Sequence, residues 1–133
     1  MAFNLNDIVS IIKSDITTAI GSDVSNKIYC LVAKQNQTLP LCVFTLVGNS
    51  HTVGLSCDSS EFRLQIQLYN YRQSGTEAIR KINDKLVNAL HRQVISDSTY
   101  TDCVYKNLQW GAETITDDII EIRSEYIVFI SEL

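Results

Sequence analysis

The chain has 133 residues and a formal net charge of −4, with 45% apolar and 20% charged side chains. That length fits a single domain, 1–133, able to bury a core without disulfide or metal staples, and the composition lies far from the disordered regime. The acidic balance argues against a protein that grips nucleic acid by neutralising phosphates, which needs a basic face. The start, Met1-Ala2-Phe3-Asn4-Leu5-Asn6-Asp7, lacks the basic opening and apolar run of a signal peptide. The apolar centre of the longest charge-free stretch, Leu39 to Val47, is about half the length of a membrane helix. A cytoplasmic chain without a membrane partner is therefore expected. Its cysteines, Cys30, Cys42, Cys57 and Cys103, form no CxxC pair and read as small hydrophobes.

The first element is a helix. Ile8, Ile12, Ile16 and Ile20 fall on one face, with Asn6 placed to cap the start and Asp7 suited to the first turn. Gly21 stands where a left-handed residue would end it. Lys27 to Ala33 reads as a short irregular strand. Pro40 to Val47 reads as a strand with proline at its first position, where a missing N–H does little harm. Gly48 to Ser60 is polar and reads as a loop or a wide hairpin tip. Glu61 to Tyr71 is the clearest strand: Phe62, Leu64, Ile66 and Leu68 alternate with Arg63, Gln65, Gln67 and Tyr69.

A second helix follows. Ser74-Gly75-Thr76-Glu77 has the spacing of a capping box. Ile79, Ile82, Leu86, Val87 and Leu90 form its apolar stripe, with Arg80, Lys81, Asp84 and Lys85 outside it. After a polar loop, Ser96 to Thr99, a strand lies within Tyr100 to Trp110. A long strand, Asp118 to Ile130, closes the chain. The expected fold is α+β, a mainly antiparallel sheet with two helices packed on one face, in the order α-β-β-β-α-β-β.

Convergent polar chemistry is hard to find. His51 falls in the polar segment, and His91 at the end of the second helix, where a cation would complement the dipole. Asp117-Asp118 and the Glu121/Glu125 alternation could suggest carboxylate pairs, but Arg123 between the two glutamates points to a salt-bridged strand face. Tyr69, Tyr71 and Tyr105 could form an aromatic platform, in charge surroundings that are mixed rather than basic. Trp110 reads as core or interface. No phosphate loop, GxSxG, HExxH or calcium loop is present. No catalytic, cofactor or metal residue is therefore assigned.

Across Ile8 to Ile130 the order and spacing of several strings resemble the tail-completion, or tail-terminator, proteins of long-tailed bacteriophages and prophages. These strings are the amphipathic first helix, Lys27-Ile28-Tyr29, Leu41-Cys42-Val43-Phe44, Leu64-Gln65-Ile66-Gln67-Leu68-Tyr69 running into Ser74-Gly75-Thr76-Glu77-Ala78, Lys85-Leu86-Val87-Asn88-Ala89-Leu90-His91, and the last alternating strand. The resemblance implies a non-enzymatic virion subunit, assembled in the host cytoplasm. It implies a ring, typically hexameric, on the head-proximal end of the tail tube. Its partners would be further copies of itself, the tube protein and a head–tail connector protein, with DNA passing through the lumen unheld.

A rotational ring needs two different surfaces on each subunit. The basic second helix (Arg80, Lys81, Lys85) and the acidic last strand (Glu121, Glu125) are the sequence's candidates. The Gly48 to Ser60 segment matches no family pattern, and its Asn49, His51 and Thr52 are candidates for contact with the tube or a neighbour. Three rival readings are a head–tail connector or neck protein, a small enzyme, and an adaptor module that uses an exposed sheet edge.

Overall fold

A computed structural model describes the backbone of residues 5–33, 38–53, 58–91, 94–95 and 100–132. Side chains are described within 5–33, 38–48, 60–91 and 104–130. Helix α1 spans Leu5–Ile20 and helix α2 Thr76–Leu90. The strands are β1 Ile28–Cys30, β2 Leu41–Val53, β3 Asp58–Tyr71, β4 Val94–Ile95, β5 Tyr100–Thr116 and β6 Ile119–Glu132. They form one sheet in the order β1-β2-β3-β6-β5-β4. Every pairing is antiparallel except β1 with β2. The expected α+β order holds, with the two-residue β4 added at one edge.

The core follows from two periodicities. Ile8, Ile12, Ile16 and Ile20 of α1 are all buried, as are Ile79, Leu86, Val87 and Leu90 of α2. Under them lie Phe62, Leu64, Ile66 and Leu68 of β3 beside Ile120, Ile122, Tyr126, Val128 and Ile130 of β6. Each of these aliphatic side chains gains about 1.5–3 kcal/mol from leaving water. Cys42 and Phe44 of β2 join the same cluster. Helices thus cover one face of the sheet and leave the other free of helix, although Leu41 and Val43 of β2, in register with Tyr69 and Gln67, are buried on it.

Several local expectations are corrected. Asn6 is the second residue of α1, so it lies inside the helix rather than capping it. Gly21 does not turn left-handed; it opens a 3-10 turn, Gly21–Val24, and Ser25 (φ 52°) is the left-handed residue that closes it, its N–H donating to Gly21 O. What Gly21 supplies is space, because a Cβ there would meet Asn26 Oδ1 at 2.8 Å and Thr17 Cγ2 at 3.0 Å. The capping box does not form: Ser74 ends a 3-10 turn, Arg72–Ser74, and Gly75 (φ 80°, ψ 168°) precedes α2 with no side-chain cap. Such a backbone is open to glycine and strained for other residues.

The polar segment after Val47 is largely hairpin rather than loop. β2 continues to Val53 and pairs Asn49 with Phe62, His51 with Ser60 and Thr52 with Ser59. A bulge between Leu46 and Gly48 lets the extension bend. β5 also runs past Trp110 to Thr116 and returns through Asp117-Asp118, with Asp117 at φ 51°. No described helix is long and apolar enough to cross a membrane.

Cys42 is buried and unpaired, and Cys30 is half-buried and unpaired. The side chains of Cys57 and Cys103 lie outside the described residues. Burial pushes the Cys42 thiol from 9.0 up to about 12. The folded state therefore keeps a proton that the unfolded chain releases above about pH 9. Stability should be complete below pH 9 and fall as pH climbs toward 12, by up to about 1.4 kcal/mol per pH unit. Denaturant melts between pH 7 and 11 check this, and a Cys42→Ala variant should lose that alkaline component. In the native protein at pH 8, iodoacetamide should leave Cys42 unlabelled on peptide mapping.

Candidate assembly surface

The bare face of the sheet carries a polar ladder. Glu125 accepts hydrogen bonds from Gln65 Nε2 (3.0 Å) and from Arg63 (3.5 Å). Glu121 accepts from Gln67 Nε2 (2.9 Å) and from Arg123 (3.3 Å). The sequence places these groups on one face, and register puts Gln65 opposite Glu125 and Tyr69 opposite Glu121. The ladder is neutralised within the chain. Each carboxylate is engaged by a cation and an amide, which leaves neither poised for acid–base work.

Beside it, Tyr69, Thr114, Thr116, Ile119 and Glu121 line a shallow cavity of about 370 Å³ closed at one end by Asp117 and Asp118. Burial, with the nearby Glu121 charge, raises the Tyr69 hydroxyl above its ordinary range. Tyr105 is not part of this group. It is fully buried on the helix side, where its hydroxyl donates to Asp15 of α1, so the three-tyrosine platform does not exist.

The helix face uses its charges within the chain as well. Arg80 grips Glu113 of β5 through Nε and Nη2, an exchange that raises the guanidinium and lowers the carboxyl. Lys85 pairs with Asp23 at 2.9 Å, and Lys81 with Glu77 one turn earlier at 3.1 Å. The expected interface charges thus lie on opposite sides of the sheet layer, with Arg80, Lys81 and Lys85 on the helix side and Glu121 and Glu125 on the bare side. The structure does not bring the two sets together, and it gives each member an intrachain partner. His91 Nδ1 accepts from the Asn107 N–H at 3.0 Å, which ties the end of α2 to β5. Asn49, His51 and Thr52 sit on the β2–β3 hairpin, and their side chains lie outside the described residues. Among the described residues no group of three or more His, Cys, Asp or Glu gathers as a metal ligand set.

Sequence reasoning misses how α2 is fastened to β5. Asn83 faces inward from α2 and donates to Trp110 O at 2.9 Å. The Trp110 indole N–H donates to Asp84 at 2.8 Å. β5 accommodates this by two irregularities against β6, one between Asn107 and Gln109 and one between Gln109 and Ala112. Gly111 lies in the second. A Cβ there would meet Asn83 Nδ2 at 2.9 Å and Ile122 Cγ2 at 3.2 Å. Asparagine in an apolar stripe and glycine in a strand are the signals that could have marked this junction. Gly111→Ala should displace Asn83 from Trp110 O and lower stability by about 1–3 kcal/mol, measured by denaturant unfolding.

No family model matches the chain, and no curated protein matches it. Among solved structures it is similar to a chain from the virion of a native gene transfer agent particle. The TM-score is 0.65 and the sequence identity 8%, over 92% of this chain and 95% of that one. At that identity the likeness is one of fold, and it spans nearly the whole of both chains.

Proposed function

We propose that this protein is a structural component of a virion, and within that class a tail terminator. In this reading it forms a ring, hexameric as in the family it resembles, on the head-proximal end of the tail tube. The ring stops tube growth and offers the head connector a surface, while DNA passes through without being held. The observation that carries the reading is the fold likeness, end to end, to a chain of a phage-like virion. It agrees with the order and spacing of sequence strings that resemble terminators.

The surface chemistry supports a passive conduit. Arg63, Arg80, Lys81, Lys85 and Arg123 are each bound to a carboxylate of the same chain. Neutralised cations offer phosphate little, and each unneutralised one would hold DNA back. The β2–β3 hairpin carrying Asn49, His51 and Thr52 is the proposed contact to the tube or to a neighbouring subunit, because it extends beyond the helix-covered core.

Two experiments test this. The mass of the purified protein in solution, with and without isolated tail tubes, should be six-fold that of the chain, or become so on adding tubes. A protein that ignores tubes but binds the head–tail connector belongs to the neck instead. Shortening the hairpin by removing residues 50–59 should leave a folded protein that no longer stops tube polymerisation, scored by tube length in electron micrographs.

A further inference from the structure

The interface charges suggested by sequence each have an intrachain partner, and the fold also leaves apolar groups exposed. Among the described residues, exposed large apolar side chains include Leu31 and Val32 at the β1 edge and Leu108, Trp110 and Ile115 on β5. At the β1 edge, Leu31 is 65% and Val32 78% exposed. Leu31 is held at φ 68°, a costly conformation for a residue with a Cβ, and its N–H donates to Phe44 O. At the β5 flank, Leu108 is 45% and Trp110 48% exposed, both displayed by the strand irregularities. Beyond its two pairings with β4, β5 has no outer neighbour among the described strands.

The two apolar pairs adjoin one row of the sheet. Register aligns Cys30 with Phe44, Phe44 with Ile66, and Ile66 with Ser124. On β5 that row falls between Gln109, opposite Glu125, and Ala112, opposite Arg123. It therefore passes through Trp110 and Gly111. Leu31 and Val32 directly follow Cys30, where the chain turns out of the strand: Leu31 is at φ 68° and the Val32 N–H donates back to Cys30 O. The flanks are four strand spacings apart, on the order of 19 Å. Strand polarity also agrees: β1 runs opposite to β5, so subunits standing side by side would meet with antiparallel edges.

Leftover charges are complementary across the same two flanks. Lys27 directly precedes β1 and has no acidic partner among the described residues, its Nζ donating to Thr38. Asp117 and Asp118 form the exposed β5–β6 turn, at the end of the sheet where β1 begins, and neither has a basic side-chain partner there.

We infer that the chain joins a second copy of itself flank to flank, with Leu31 and Val32 of one subunit packed on Leu108 and Trp110 of the next. Lys27 faces the neighbour's Asp117-Asp118 turn. The contact is heterologous, the kind that builds a ring when the rotation from copy to copy closes and an open filament when it does not. It rests on the ring reading above and names its interface.

The test is sedimentation of the full-length protein over a concentration series, alone and with tail tubes. Val32→Lys and Leu108→Glu should each weaken assembly by more than ~10-fold, the effect of losing one interface anchor. The double variant should recover it, since the new charges face each other. Both positions are exposed, so circular dichroism should show unaltered folds. The chain has one tryptophan. Its emission should shift to the blue and resist acrylamide quenching once the wild type assembles. Single variants that assemble like the wild type, a double variant that stays dissociated, or a Trp110 still quenchable in the assembled protein would each overturn the interface and leave the ring reading standing. A wild type that neither self-associates nor binds tubes would overturn both.

Discussion

Strands β3 and β6 run side by side through the middle of the sheet, and their side chains alternate between an apolar row and a polar row. One face must therefore be covered, and only the two helices present an apolar stripe wide enough to cover it. Ile8, Ile12, Ile16 and Ile20 settle on that face with Ile79, Leu86, Val87 and Leu90. The rest of the architecture follows from this burial. β2 and β5 extend the sheet on either side of the central pair, and the bare face is left to the hydrogen-bonded ladder of Arg63, Gln65, Gln67, Glu121, Arg123 and Glu125.

The flank at β5 is less regular because it serves α2 as well as β6. Asn83 and Asp84 both reach the strand at Trp110, one through its carbonyl and one through its indole. A buried amide whose Nδ2 is bonded and whose Oδ1 lacks a partner is a costly object. Its bond to Trp110 O fixes α2 against β5 at a single register. The same distortion turns Leu108 and Trp110 outward, so fastening a helix and displaying an apolar patch are one structural event.

Charge is used here to close surfaces. Arg80, Lys81 and Lys85 all find carboxylates within the chain, and so do Arg63 and Arg123. Pairs as exposed as these add little stability. They hold five of the chain's cations against its own carboxylates. In the assembly proposed above, the apolar groups on the flanks would contribute through their removal from water.

What was legible in the sequence was whatever has a period. Four isoleucines at helical spacing, the β3 and β6 alternations and the α2 stripe placed both helices and the central pair, because burial of one face imposes the same repeat on residues and on structure. The Glu121–Arg123–Glu125 face could be read for the same reason. Local punctuation misled more often. Asn6, Gly21 and Ser74 have the right identities for caps, yet the chain caps with Ser25 and Gly75, since α1 begins earlier than Asn6 and a 3-10 turn occupies Arg72–Ser74. The polar run from Gly48 pairs as strand because its neighbour β3 is long, and pairing depends on a partner far along the chain. Tyr105 went inward because Asp15, on another element, awaits its hydroxyl. By itself the sequence determined the class of the fold, its core and its bare polar face. Only the tertiary structure decided which charges neutralise one another and that Leu31-Val32 and Leu108-Trp110 are exposed on opposite flanks. Both are set by strand order and register, which depend on contacts between residues distant in the chain.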